Sequence, residues 1–428
     1  MLVAVVMLFV VGAMAALSID VVTLYTARSE AQLAADGAAL AGARVLANSG
    51  MTSASDATVG ANAVPLAIAV ATQVAASNTV GGRDLVPGAS PCISGQEICV
   101  NINPGSTNFI ANPHVTVQVQ RGDLPTFFAR IWGRTTITVK ASATAEAYNP
   151  SYLQGTAAGP GLPIAPTCVK PWLLPNMDPS NPPGQIFDPA SGAITAPGLL
   201  GWITPPPGFG GIRLRAECTT TCGPSPPGPT VWRYYPGDPA DFPAPSASSV
   251  ACPGCAGFNN FQLSIAGCVQ PPIQCNSVVH VDQASDANRD AEAANAVDAL
   301  AHASSNKGDS MDTATVPSPP FQFVAGSDNP VVESGGLGAG TNIMVSDSLV
   351  TVPVIDTTSA WPGGYPAVQI IGFVQLFLNP TGQKVPGSNH IHTQVINLVG
   401  CGAGTGGVAG TPILGNGASP VAVRLISP

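Results

Sequence analysis

The chain opens on nineteen consecutive apolar or small positions, Met1–Ile19, broken only by the hydroxyl of Ser18. Polar residues begin at Asp20, and no proline occurs before Pro65. At about 1.5 Å per residue such a stretch is about 30 Å long, one hydrocarbon core. Beyond it the chain is alanine-rich, with Leu33, Leu40 and Val45 as larger apolar positions and Arg28, Glu30, Gln32, Asp36 and Arg44 as polar ones. This weak amphipathic pattern predicts one helix over Met1–Ala47 that leaves a bilayer and continues into water. Asp56–Ser77 repeats the composition and predicts a second helix, kinked or broken at Pro65. The period then changes. "VTVQVQ" (115–120) and "TTITVKASATAEA" (135–147) alternate as half-buried strands do, and "PTFFARIWG" between them reads as a short helix or helical turn packed on the sheet.

From about Asn149 the texture becomes proline-dense, and segments such as "LPIAPTCVKPWLLP" are expected to form neither central strands nor helices. A helical island, Ala284–Ala303, is acidic and alanine-rich. The clearest strands come late: "SLVTVPVID", "AVQIIGFVQLFL", "HTQVINLVG" and "PVAVRLIS". The expected organisation is therefore a transmembrane anchor over 1–25, an α+β domain over 26–148 and a β-rich, loop-rich domain over 149–428.

Composition narrows the function classes. Charged residues are 9% of the chain, far below the usual ~25%, and Gly and Pro number 47 and 43. A net charge of −9 argues against nucleic acid, which needs a basic face. Ten cysteines in a chain that crosses a membrane point to disulfides in an oxidising compartment. Four close pairs stand out: Cys92 with Cys99, Cys218 with Cys222, Cys252 with Cys255, and Cys268 with Cys275. Cys168 and Cys401 are left to join the ends of the second domain, although spacing alone does not determine connectivity. The rival reading is zinc on the Cys252-Pro253-Gly254-Cys255 knuckle with Cys268. It lacks a second knuckle at regular spacing.

No reaction centre emerges, and neither a cofactor nor a small-molecule substrate is expected. Gly402-x-Gly404-x-x-Gly407 fits a dinucleotide pattern, but too little chain follows for a βαβ unit, so it reads as a glycine loop. His390 and His392 lack a third ligand for zinc. Arg121-Gly122-Asp123, an integrin-type tripeptide, reads as turn chemistry. Asp282, Asp286, Asp290 and Glu292 read as the solvated face of the helical island.

Two segments carry a family resemblance. "LSIDVVTLYTARSEAQLAADGAALAGARVL" resembles the N-terminal segment of TadG-like proteins of the Tad (Flp pilus) assembly system, through Ser18–Val21, Tyr25–Arg28, Ala34–Asp36 and Ala39–Ala43. "LPTFFARIWGRTTITVKASATAEA" (124–147) is similar to the family's Pro-Thr-Phe-Phe-Ala-Arg segment and the strand after it. Together they cover roughly the first 150 residues, in the family's order. Pro-Val-Ile-Asp and Gly-Phe-Val match its C-terminal half less sharply.

The resemblance implies a pilin-like α+β plan and a non-enzymatic role in pilus assembly. The protein would sit in the bacterial inner membrane, with other Tad subunits as partners. Ala34, Ala38, Ala41 and Gly42 are the candidate helix-interface positions, because small side chains let helices approach closely. Pilins carry a glycine cleavage site followed by a glutamate; no acidic residue precedes Asp20, so prepilin processing is not expected. Ala13-Met14-Ala15 keeps a cleaved signal open as an alternative to the anchor. The missing basic flank fits a natural start upstream of Met1. An exported surface adhesin or ligand-binding protein on a membrane stem is the alternative function.

Overall fold

The structure is a computed structural model. It describes residues 2–427 apart from 54–56, 89–91, 104–111, 152–163, 179–183, 205–231, 234–254, 281–288, 312–318, 357–366, 386–390, 402–412, 416–418 and the single positions 94, 202, 270 and 304.

The first helix, α1, runs unbroken over Leu2–Asn48. Its two halves meet different surroundings. Val3, Met7, Leu8, Val11, Met14 and Ile19 are exposed apolar side chains. From Ala27 onward the small face is covered, with Ala31, Ala34, Ala35, Ala38 and Ala39 at 0% exposure. The helix α2, Ala57–Ala76, continues through Pro65 and lies along this second half. Ala63, Ala67, Ala71 and Ala75 are its buried face, one residue every four, the spacing that keeps side chains on one side of a helix. Both helices are long and apolar enough to cross a membrane. Among the described residues the first half of α1 is almost wholly uncovered, whereas α2 is covered along its alanine face.

Short strands β1 (Thr79–Val80) and β2 (Arg83–Asp84) form a hairpin after α2. Then come β3 (Ile98–Asn103), β4 (His114–Pro125) and β5 (Thr136–Tyr148). In β4 the alternation expected from sequence is met: Val115, Val117 and Val119 are buried against α1, and Thr116 reaches Thr144 across the outer face at 3.1 Å. Arg121-Gly122-Asp123 is no turn. It forms a register shift inside β4, with buried Arg121 donating to Asp123 at 2.8 Å. That hydrogen bond holds the Asp123 carboxyl below its usual range, against the opposing effect of burial.

The proline-dense region supplies β6 (Ile164–Pro166), β7 (Trp172–Pro175), β8 (Ile203–Thr204) and β9 (Trp232–Arg233). The helix α3 (Asn260–Ala266), β10 (Val278–His280) and α4 (Arg289–Leu300) follow. Next are β11 (Ser310–Met311), β12 (Phe323–Val324), the short helix α5 (Pro330–Glu333) and β13 (Asn342–Ile343). Last come β14 (Leu349–Ile355), β15 (Ala367–Leu378), β16 (Thr393–Gly400), β17 (Ile413–Gly415) and β18 (Ala422–Ser427). The larger sheet has the order β8-β16-β15-β14-β7-β9, with β10 also on β15. β14, β16 and β15 from Ile370 onward are buried on both faces, hence their continuous apolar runs.

Two expectations are corrected. The Trp172–Pro175 segment, thought too proline-rich for a sheet interior, pairs with β14 on one side and β9 on the other. Its prolines stand just before the strand and at its last position, where a missing N–H is tolerated. The last strand leaves the β-rich part and completes the first sheet, in the order β18-β5-β4-β3. There Arg424 pairs with Glu146, whose side chain is only 7% exposed and also meets His114 at 3.5 Å. Arg424→Met should cost about 1–3 kcal/mol, below a fully buried pair because Arg424 is 38% exposed. A denaturation midpoint unchanged from wild type would refute it.

The cysteines are also re-paired. Cys92–Cys99 is as expected from spacing, but Cys268 bonds to Cys168 and Cys275 to Cys401. Cys168 N donates to Val269 O at 3.0 Å, so the segments carrying Cys168 and Cys268 already run side by side. Asn276 and Cys401 each donate to β15, at Ile370 O and Ile371 O, which brings Cys275 beside Cys401. Cys255 is also disulfide-bonded, and no described cysteine is free. Cys218, Cys222 and Cys252 lie outside the described residues, as do His390, Gly402, Gly404, Gly407, Asp282 and Asp286. Cys268, which the zinc alternative requires as a thiolate, is held in a disulfide. Glu292 is no solvated carboxylate: it accepts from Asn259, the cap of α3, at 2.8 Å.

Candidate functional site

Asp20 is the first acidic residue of the chain and stands where the uncovered part of α1 ends. Sequence alone places it at the outer membrane interface, because a carboxylate at mid-bilayer is costly. In the structure it is 3% exposed. Its Oδ1 accepts from Phe127 N at 2.8 Å, and its Oδ2 from Phe128 N at 3.0 Å and Ala129 N at 2.7 Å. These N–H groups open the 3-10 turn Ala129–Trp132, so the carboxylate caps it as an N-cap side chain would, from a distant helix. The two segments that carry the family resemblance thus meet at this point.

The β4–β5 hairpin reaches Asp20 by descending α1. Gly42 backs onto Val115 at the start of β4, Gln32 donates to Ser142 O in β5 at 3.1 Å, and the hairpin tip arrives at Asp20. The tip is closed on itself. Thr126 donates through its hydroxyl to Arg134 O, and its N–H to Thr135 O at 3.3 Å. Gly133 takes the left-handed conformation (φ 80°) that ends the turn. Nearby, Glu30 accepts from Gly81 N at 2.6 Å and holds the β1–β2 hairpin to the same helix.

Of the proposed helix-interface residues, Ala34 and Ala38 are buried by this chain's own fold, Gly42 packs on Val115 and Ala71, and Ala41 is half-buried. The small face is therefore closed within the molecule, not left open for a second span. Physically, an alanine stripe accepts α2 and the sheet as readily as another helix.

A second polar cluster lies at the opposite end of α1. Asn397 of β16 donates to Ala47 O and to Gln375 Oε1, both at 2.5 Å. Gln375 donates to Asn48 Oδ1 at 3.1 Å, and Asn48 to Met344 O at 2.8 Å. Ser53 and Asn149 join at Leu398, Asn149 donating to Leu398 O at 3.0 Å. These groups have almost no solvent access and lock the end of α1 to the larger sheet.

Neither cluster, nor any other among the described residues, groups three metal-ligating side chains. Lys170 is a buried titratable group. Its Nζ donates to Ile265 O at 2.6 Å and Gly267 O at 2.7 Å, the carbonyls at the end of α3. Burial pushes its ammonium down from 10.5 to about 7, with Asp347 acting in the opposite sense. With two acceptors, a neutral amine satisfies the site, so Lys170 is a helix-end clasp. Between pH 7 and 10.5 the unfolded chain holds the extra proton, so stability rises with pH across that window. Denaturation at pH 7 and pH 9.5 should show a gain of about 2–3 kcal/mol, absent in Lys170→Met. An equal gain in the variant would assign the slope to other groups.

Taken together, these features define a class: a protein whose long N-terminal helix is uncovered at one end and packed on a helix and an antiparallel sheet at the other. Residues 1–45 match the family model described as Putative Flp pilus-assembly TadE/G-like. That match ends within α1 and stops short of the hairpin tip at 125–134. No curated protein and no solved structure matches the chain.

Proposed function

We propose that the protein is a non-enzymatic, membrane-anchored component of a Tad/Flp-type pilus assembly or secretion system. The observation that carries this is the two-part α1. Its first eighteen described residues, Leu2–Ile19, match a hydrocarbon core in length, and they fall within the segment that matches the TadE/G-like family. On this reading the anchor occupies 1–25 in the inner membrane, and the bulk of the chain is extracytoplasmic. Disulfides closing loops of 100 and 126 residues favour an oxidising compartment. The protein would act by contacts with other pilus-assembly subunits through the surface of its two largest sheets.

Chemical crosslinking in the native envelope followed by pull-down tests the role. Recovery of Tad pilus-assembly subunits is the expected result. Recovery of an external ligand without them would favour the adhesin alternative. Protease added to spheroplasts tests the topology: it should degrade the chain beyond Asp20, and protection of residues 149–428 would overturn the orientation.

A further inference from the structure

The hairpin tip presents an unusual surface for a water-facing turn. Phe127 is 61% exposed, and Arg130 and Arg134 are exposed with no ion pair among the described residues. Tyr25, just beyond Asp20 on α1, is 72% exposed. The level of this surface along α1 is set by Asp20, which holds the backbone of Phe127, Phe128 and Ala129 directly. Asp20 follows Leu2–Ile19, about 27 Å of apolar helix. The tip therefore lies where a spanning α1 would leave the hydrocarbon. That level is where aromatic rings are favoured and where basic side chains meet phosphate.

We propose that the tip of the β4–β5 hairpin, Pro125–Arg134, is an interfacial membrane element, with Phe127 entering the acyl boundary and Arg130 and Arg134 engaging phospholipid phosphates. Asp20 is the positioning residue: its three accepted hydrogen bonds satisfy the turn's backbone donors and keep the tip at the bilayer surface. The element gives the extracytoplasmic part a second attachment point. One helix alone would leave it free to tilt and to rotate about the α1 axis; a helix and a docked hairpin fix the face that the sheets present. The proposal rests on the reading of α1 as a membrane span.

The test uses the full chain in nanodiscs of phosphatidylethanolamine and phosphatidylglycerol, with a photocrosslinking benzoylphenylalanine placed singly at Leu8, Phe127 or Val345. Leu8 reports the span. Val345 is the distal control, since its neighbour Met344 bonds Asn48, about 42 Å along α1 from Asp20. Lipid adducts at 8 and 127 but not at 345 are the expected result. Adducts at 8 without any at 127 would overturn this proposal and leave the anchor intact. No adduct at 8 would remove the span and this proposal with it. Arg130→Glu with Arg134→Glu should reduce the adduct at 127 several-fold while that at 8 is unchanged; an equal yield at 127 would refute the phosphate contact.

Discussion

Asn397→Leu should destabilise the protein by about 3–5 kcal/mol, one of the two largest effects expected of a single substitution here. Asn397 is fully buried and acts in both directions at once. Its amide nitrogen serves Ala47 O and Gln375 Oε1, and its oxygen accepts from Ser53 at 3.1 Å. Leucine occupies similar space but leaves these partners buried without it, at about 1–3 kcal/mol for each group left unsatisfied. The damage would concentrate where α1 joins the larger sheet, so proteolysis should detach the two before either unfolds. Gln369→Leu is the matched control, an exposed position of the same sheet, and should stay within about 0.5 kcal/mol. A loss at Asn397 as small as at Gln369 would mean that water replaces the missing partners.

Gly42→Leu should cost about 3 kcal/mol or more by overpacking. A Cβ at this position would lie 2.9 Å from Val115 Cγ1, 3.2 Å from Ala71 Cβ and 3.4 Å from Ala67 O. All three belong to packed elements, so a leucine would push α1 away from both β4 and α2. Gly37, one and a half turns earlier, has nothing within 4 Å of its added Cβ. Gly37→Ala should therefore stabilise by about 0.5–1 kcal/mol through helix propensity alone. The contrast also separates two roles for the small face. A face reserved for another subunit would make Gly42→Leu abolish assembly while the isolated protein kept its melting temperature; the packing on Val115 and Ala71 predicts a lower melting temperature without any partner present.

Much of the secondary structure was legible because its signals are local. The apolar run and proline-free alanine stretch specify α1 from end to end, since both the 3.6-residue period and the absence of breakers are properties of neighbouring residues. The alternation in 115–120 and 135–147 locates β4 and β5, and the late apolar runs locate β14, β15 and β16. The segment 125–133 reads as a short helix or helical turn packed on the sheet, and the structure supplies the reason for the stability of its 3-10 turn: a carboxylate more than a hundred residues earlier in the chain.

The partners of these elements were another matter. Cysteine spacing favoured joining Cys268 to Cys275, yet each bonds a cysteine at least a hundred residues away, and a disulfide follows the distance between side chains in the fold. "PVAVRLIS" reads as a strand wherever it lies; only the free edge of β5 and the buried charge of Glu146 decide that it returns to the first sheet. The alanine stripe announces close helix packing but not against what, because a surface of small side chains is complementary to many others. Asp20 is the clearest case. A single carboxylate at the end of an apolar helix carries no local mark of three hydrogen bonds waiting for it. By itself, then, the sequence determined the anchor-like helix, the strands and the family likeness of the first segment. The tertiary structure decided which surfaces meet, because those contacts join residues whose separation along the chain leaves no periodic trace.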